Sequence, residues 1–288
     1  MKTLVQKLPL DENSSFIART YRTPHFETPY HQHSEYELVK INECPGTAFI
    51  GDSVLEFKKG DVYLLGGNVP HWFRKKECTM TGSSMVIQFS GDFIGEKMMG
   101  LPEMKSVRDL LSQAAKGIYL SGELRKKIGR TMNRVEEKNN FYRLIDLLSM
   151  LHDISESDEY HFVSRHELAL TTRYDQGMIH DVFEFTMQNF RRKIALEEVA
   201  GRVNKSISAF CHYFKKNTKL SYVDFLTQVR ISHACTLLKE TDLTVTEICY
   251  ESGFHNWANF SRHFRKLRNI SPTGYRERFS SLRPVHGT

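Results

Sequence analysis

The chain has 288 residues, 40% of them hydrophobic and 26% charged. This is ordinary globular composition, which excludes a disordered, collagen-like or disulfide-stapled chain, and the length suits about two domains. The formal charge of +6 is too small to name a partner, but it is uneven: from Met178 onward there are 17 basic and 10 acidic residues, whereas the first 177 residues carry 23 and 24.

Residues 14–90 read as β structure. Runs of five to eight residues, such as Tyr36–Ile41, Val62–Leu65 and Ser84–Phe89, are broken by turn signals at Cys44-Pro45-Gly46, Lys59-Gly60-Asp61 and Gly66-Gly67-Asn68. Many short strands at regular spacing predict a barrel or sandwich. Within this region His31, His33 and Glu37 form H-x-H-x3-E, and Gly60-Asp61 precedes Pro70-His71. In an extended segment His31 and His33 share a face. Glu37 can join them, and His71 from a neighbouring strand completes a set of three imidazoles and one carboxylate, which suits a divalent metal.

These two elements resemble the cupin double motif, although the glycine that usually follows the first is displaced to Gly46. The resemblance implies a cupin-like β-barrel or jelly roll. Three readings of the cluster His31, His33, Glu37 and His71 stay open: an effector pocket without metal, a metal-assisted effector pocket, and a structural histidine pair held by carbonyls. Tyr36 and Trp72, with His25, Tyr30 and Phe73 nearby, are candidates for a sugar-binding wall.

From about residue 103 the apolar period becomes helical. Helices are predicted near 103–116, 122–138 and 140–153. The last carries Phe141, Leu144, Ile145, Leu148 and Leu151 on one stripe, either core or the face of a partner helix. Residues 154–177 mix polar residues with few periodic apolar ones and are expected to be a linker. The expected division is a sensing and dimerising domain over 1–153, the linker over 154–177 and a helical domain over 178–288.

Seven helices are predicted in the last part, near 178–190, 195–202, 206–217, 221–239, 244–251, 256–268 and 272–279. They contain a near-repeat: Phe210 and Phe214 match Phe260 and Phe264 at an offset of 50 residues. In each copy a short helix with a small residue (Ala200 or Cys249) leads to a turn at Asn204 or Gly253. A polar residue, Ser206 or Asn256, then starts the second helix. This is helix-turn-helix logic, in which the second helix enters the major groove. The candidate DNA-contacting residues are Ser206, Ser208, Ala209, His212, Lys215 and Lys216 in copy one. Copy two offers Asn256, Trp257, Ala258, Asn259, Arg262 and Lys266. The helix between the copies, at 1.5 Å per residue, spans about 28 Å, close to the roughly 34 Å between successive major grooves. Lys219, Arg265, Arg268 and Arg276 add basic flanks suited to phosphate.

Three segments carry a longer likeness: Ile248-Cys249-Tyr250-Glu251-Ser252-Gly253-Phe254, the run from Asn259 to Lys266, and Ile270-Ser271-Pro272 with Tyr275-Arg276. Residues 178–279 closely resemble the AraC/XylS family of bacterial transcription regulators. Cys249 stands where that family usually has Ala, Asn269 where it usually has Gly, and His212 where Arg is frequent. The resemblance implies an α+β multidomain protein with a sensor joined to an all-α DNA-binding domain. Its implied partners are double-stranded promoter DNA, a small-molecule effector (a sugar or related metabolite), RNA polymerase and a second copy of the chain.

No Gly-rich phosphate loop, nucleophile elbow or HExxH occurs, so no catalytic residue is proposed and the chain is expected not to be an enzyme. The five cysteines, Cys44, Cys78, Cys211, Cys235 and Cys249, form no CxxC pair. With no secretory signal and no long apolar span, they suggest reduced thiols in a cytoplasmic protein away from the membrane.

Overall fold

A computed structural model describes residues 14–23, 28–76, 81–166 and 173–280; His25 and Cys78 lie outside them. The chain divides into two compact units between Gly177 and Met178, with Val54–Glu56 grouped with the second.

The first unit begins with seven strands: β1 (Phe16–Thr23), β2 (Tyr36–Glu43), β3 (Gly46–Ile50), β4 (Ser53–Phe57), β5 (Val62–Leu65), β6 (His71–Lys75) and β7 (Gly82–Phe89). It continues through α1 (Glu96–Met99), α2 (Lys105–Gln113), β8 (Ile118–Leu120), α3 (Gly122–Val135), α4 (Asn140–Ser155) and β9 (Tyr160–Phe162). The strands form a six-stranded sheet, ordered β1-β7-β2-β5-β8-β9, and a three-stranded sheet, ordered β4-β3-β6. Two sheets thus stand where the sequence predicted a barrel or sandwich.

Period-two alternation sets what each face of the large sheet does. Leu38, Leu64, Met85 and Ile87 point to one side, into a core with Leu110, Ile128, Leu147 and Leu151 of α2, α3 and α4. Glu37, Val39 and Ile41 of β2 point to the other side. They lie directly opposite Gln88, Val86 and Ser84 of β7 in the antiparallel register.

Two expectations change here. The stretch 154–177 is not featureless linker: α4 runs into it, β9 pairs with β8, and α5 (Arg173–Asn189) starts within it. Three-residue strands such as β8 and β9 are too short to show a period. The stripe on α4 is also split, for Leu151 is fully buried while Phe141 and Ile145 are 66% and 42% exposed.

The second unit is helical: the greater part of α5, then α6 (Leu196–Arg202), α7 (Ile207–Thr218), α8 (Tyr222–Glu240), α9 (Val245–Glu251), α10 (Trp257–Arg268) and α11 (Pro272–Ser280). Its bounds lie within one or two residues of the sequence reading except at the start of α5. Phe260 and Phe264 are fully buried among Ile231, Ala234, Leu238, Ile248 and Cys249. Phe210 and Phe214 hold the equivalent place near Tyr222 and Phe225. The protein is therefore an α+β molecule with antiparallel sheets before an all-α region.

Candidate functional site

The two helix pairs, α6–α7 and α9–α10, repeat each other in detail. The second helices are offset by 50 residues at both ends, and the first helices by 49, so the second turn holds one more residue. Asn204 takes φ 52° in the first turn and Gly253 takes φ 81° in the second, the left-handed region open to Asn and Gly. A Cβ on Gly253 would meet the Phe190 carbonyl oxygen at 2.4 Å. Ser206 Oγ accepts from Ala209 N at 3.3 Å, and Asn256 Oδ1 accepts from Asn259 N at 2.9 Å. Both thus cap the second helix of their pair, which also orients its first turn. Each helix ends on a left-handed residue, Lys219 or Asn269.

The buried Phe pairs force the opposite faces outward. Ser206, Ser208, Ala209, His212, Lys215 and Lys216 on the first copy are all exposed. So are Asn256, Trp257, Ala258, Asn259, Arg262 and Lys266 on the second. Lys219 and Arg265 join them, but two expected phosphate contacts do not. Arg268 Nε donates to Cys235 Sγ at 3.2 Å, and Arg276 Nη2 donates to the Leu243 carbonyl. Helical rotation turns both toward the core.

The other cluster lies in the first unit. His31 and His71 face each other across an isolated antiparallel bridge, with N–H···O bonds of 3.0 and 2.8 Å in the two directions. Their ring centroids are 4.2 Å apart, and that of His33 is 5.6 and 5.2 Å away. One ligand atom from each of the three lies within 4.8 Å of the others. The segment 31–33 is this single bridge rather than a strand, yet it still brings both histidines to the site.

Every Nδ1 in the trio contacts a backbone carbonyl: His31 to Pro29 at 2.8 Å, His33 to Glu35 at 3.0 Å and His71 to Val69 at 2.8 Å. A carbonyl only accepts, so each Nδ1 carries the proton. Glu37 Oε2 lies 2.9 Å from His33 Nε2 and 3.8 Å from His71 Nε2, and it accepts from Gln88 Nε2 at 2.7 Å. Burial, reinforced by the neighbouring His71, pushes the His31 pKa down to about 3, and burial also lowers that of His71. For His33 burial works downward, but the Glu37 carboxylate outweighs it and the pKa rises. Burial would raise the Glu37 pKa, yet His33, His71 and Gln88 hold it well below the usual carboxylate range.

Beside this cluster is a cavity of about 210 Å³, lined by His31, Glu37 and His71 and by the polar side chains of Tyr21, Thr23, Thr28, Ser84 and Gln88. Val39, Ile41, Phe73 and Val86 supply its apolar walls. Tyr36 and Trp72 do not reach it. They neighbour Glu37 and His71 in sequence, so alternation sends them to opposite faces: Tyr36 stacks on Phe89 and Trp72 on Phe49. Conversely, Gln88 and Ser84 carry no motif. Only the β2–β7 register identifies them.

The Helix-turn-helix domain family model matches residues 199–278. The HTH-type transcriptional regulator YdiP of Escherichia coli is 31% identical over 104 residues, 36% of this chain and 34% of that protein. The lactose operon transcription activator of Staphylococcus xylosus is 34% identical over 102 residues, 35% of this chain and 37% of that protein. The chain thus spans about a third of the length of these relatives. The Msm operon regulatory protein of Streptococcus mutans is 22% identical over 250 residues, 84% of each chain. Among solved structures, ToxT of Vibrio cholerae is 15% identical and covers 92% of this chain and 98% of its own at a TM-score of 0.38, too loose a likeness to carry weight.

Proposed function

From its membership of the AraC/XylS family of transcription regulators, we propose that this chain is a sequence-specific, effector-responsive DNA-binding protein. One observation carries the reading: two capped recognition helices expose equivalent faces and are separated by the 19-residue helix α8. Such a spacer suits adjacent major grooves on one side of a duplex. Ser208, Ala209 and His212 offer base contacts in one copy, and Ala258, Asn259 and Arg262 in the other. Lys215, Lys216, Arg265 and Lys266 offer phosphate contacts, which give affinity without sequence information.

The effector reading rests on the cavity with its polar walls. Similarity to the activator of a lactose operon favours a sugar or related metabolite. Ligand binding then shifts the population of DNA-binding arrangements, which requires unequal affinity for the two states. Phe141 and Ile145 on α4 favour a homodimer. RNA polymerase is the further partner of a promoter-bound regulator, and the cytoplasm is the compartment that holds both; no helix among the described residues is long and apolar enough to cross a membrane. The test is a gel shift of the full chain on its own upstream DNA against a scrambled duplex. Equal affinity for the two overturns sequence-specific recognition.

A further inference from the structure

Among the described residues of the second unit, four large apolar side chains are exposed: Ile207, Val223, Tyr250 and Trp257. A single exposed apolar residue is ordinary and needs no explanation. The repeat separates the four. At the 50-residue offset of the second helices, Val223 matches Thr273, and at the 49-residue offset of the first helices, Tyr250 matches Gly201, so neither recurs. Ile207 matches Trp257. These two are 38% and 42% exposed, and each is the first residue of its helix, α7 or α10.

That position has a direction. Side chains on a helix lean toward its N-terminus, so the first residue reaches furthest past the end that meets base edges in a helix-turn-helix. The caps at Ser206 and Asn256 fix the turn from which each side chain leaves. Ile207 is β-branched and strongly prefers one rotamer in a helix. The ring of Trp257 lies 5.5 Å from that of buried Phe260. Both apolar surfaces are thus held in place before DNA arrives. Their helical neighbours Ser208 and Ala258 are small and leave them prominent. Base edges in the major groove offer hydrogen-bond donors and acceptors, and one apolar group, the C5-methyl of thymine.

We propose that Ile207 and Trp257 each pack on the C5-methyl group of a thymine, so that both helices read the same chemical group about one turn of the duplex apart. This rests on the DNA-binding reading and gives the target a composition: two thymines roughly 10 base pairs apart, one in each major-groove segment. Because neither side chain is charged, neither releases counterions. Their replacement therefore weakens binding to the target without changing the salt slope, unlike replacement of a phosphate-binding lysine.

The test uses the full chain and the stretch of its own upstream DNA that it protects from cleavage. Each thymine there is replaced in turn by deoxyuridine, which lacks only the methyl group. Two thymines about 10 base pairs apart should each show a loss of about fourfold, the effect of burying one methyl group less. Ile207→Ala should abolish the loss at one thymine and leave it at the other, and Trp257→Ala should do the reverse. Both variants should keep the salt slope of the wild type. If no deoxyuridine weakens binding, or if both variants retain both losses, the proposal is overturned, while preference for upstream DNA over a scrambled duplex leaves the DNA-binding reading standing. Equal affinity for those two duplexes overturns both. Should Trp257→Ala misfold, the wild-type chain decides with 5-iododeoxyuridine at the second thymine. Iodine takes the place of the methyl group, and ultraviolet light joins the base to an aromatic side chain in contact with it. A crosslink mapped to Trp257 supports the proposal; a crosslink elsewhere, or none, overturns it.

Discussion

Arg262 donates from Nη2 to Oδ1 of Asn259, 2.8 Å away and one turn earlier on α10. Both side chains are exposed, so the contact holds a long guanidinium in one place before any DNA arrives. Loss of side-chain freedom is a cost of binding, and Asn259 removes part of it. Arg262→Ala should weaken binding to the target sequence by about 1–3 kcal/mol if the guanidinium reads a base edge. Asn259→Ala should lose less, and Asn259→Asp, which keeps the acceptor but sets a negative charge against the DNA, should lose more than Asn259→Ala. Gel shifts on target and scrambled duplexes check this: the loss must fall on the target alone.

The two interhelical turns predict opposite responses to substitution. Gly253 has φ 81°, and a Cβ added to it would lie 2.4 Å from a backbone oxygen, so Gly253→Ala brings both strain and collision. It should cost about 1–3 kcal/mol of stability. Asn204 already tolerates φ 52°, and Asn204→Gly should change stability by no more than about 1 kcal/mol. Urea midpoints of the two variants measure the difference.

The repeat was readable because its signals are local. A Phe pair at i, i+4, a polar cap and a turn residue all act within a few positions. The histidine cluster of the first unit was harder for a physical reason. Histidines brought together by a bridge between distant segments leave a motif only because His31, His33 and Glu37 are close in sequence. The opposite wall, Ser84, Val86 and Gln88, is placed by strand register, and register is a long-range property. Proximity in sequence also misplaced Tyr36 and Trp72, since adjacent residues in a strand face opposite ways. Arg268 and Arg276 were misread similarly, by composition without helical rotation.

Trp72 and Tyr21 should separate folding from ligand recognition. Trp72 is 3% exposed and stacks on Phe49. Trp72→Ala should therefore cost about 3–5 kcal/mol, as for other buried aromatic truncations. Tyr21 lines the cavity, and Tyr21→Phe removes one hydroxyl from its wall. Its unfolding midpoint should stay near that of the wild type, while ligand-induced stabilisation falls. Thermal melts with and without ligand give both quantities; an unchanged ligand shift would remove Tyr21 from the binding wall.

The exposed half of the α4 stripe gives a prediction about assembly. Phe141 and Ile145 are 66% and 42% exposed, and Tyr142 beside them is 58% exposed. Adjacent exposed apolar side chains of this size are what an association surface presents. Paired substitutions Phe141→Asp and Ile145→Asp should turn a homodimer into a monomer without lowering the melting temperature of the monomer. Sedimentation over a concentration series reads this directly, and an unchanged dimer would place the interface elsewhere.

The basic residues of the second unit divide into two groups with different salt signatures. Lys215, Lys216, Arg265 and Lys266 are exposed on α7 and α10. Each one that meets a phosphate releases counterions, so its replacement by Ala should lower the slope of log affinity against log salt by about 1. The loss should be similar on every DNA sequence, because phosphate contacts carry no base information. Arg268 and Arg276 also carry charge, but their side chains are bonded to Cys235 Sγ and the Leu243 carbonyl. Replacing either should leave the slope nearly unchanged and lower stability instead, by about 1–3 kcal/mol per lost charged hydrogen bond. Affinity measured between about 50 and 200 mM salt, with a melt of each variant, tells the groups apart. A full drop in slope for Arg268→Ala would mean that its guanidinium leaves Cys235 when DNA binds.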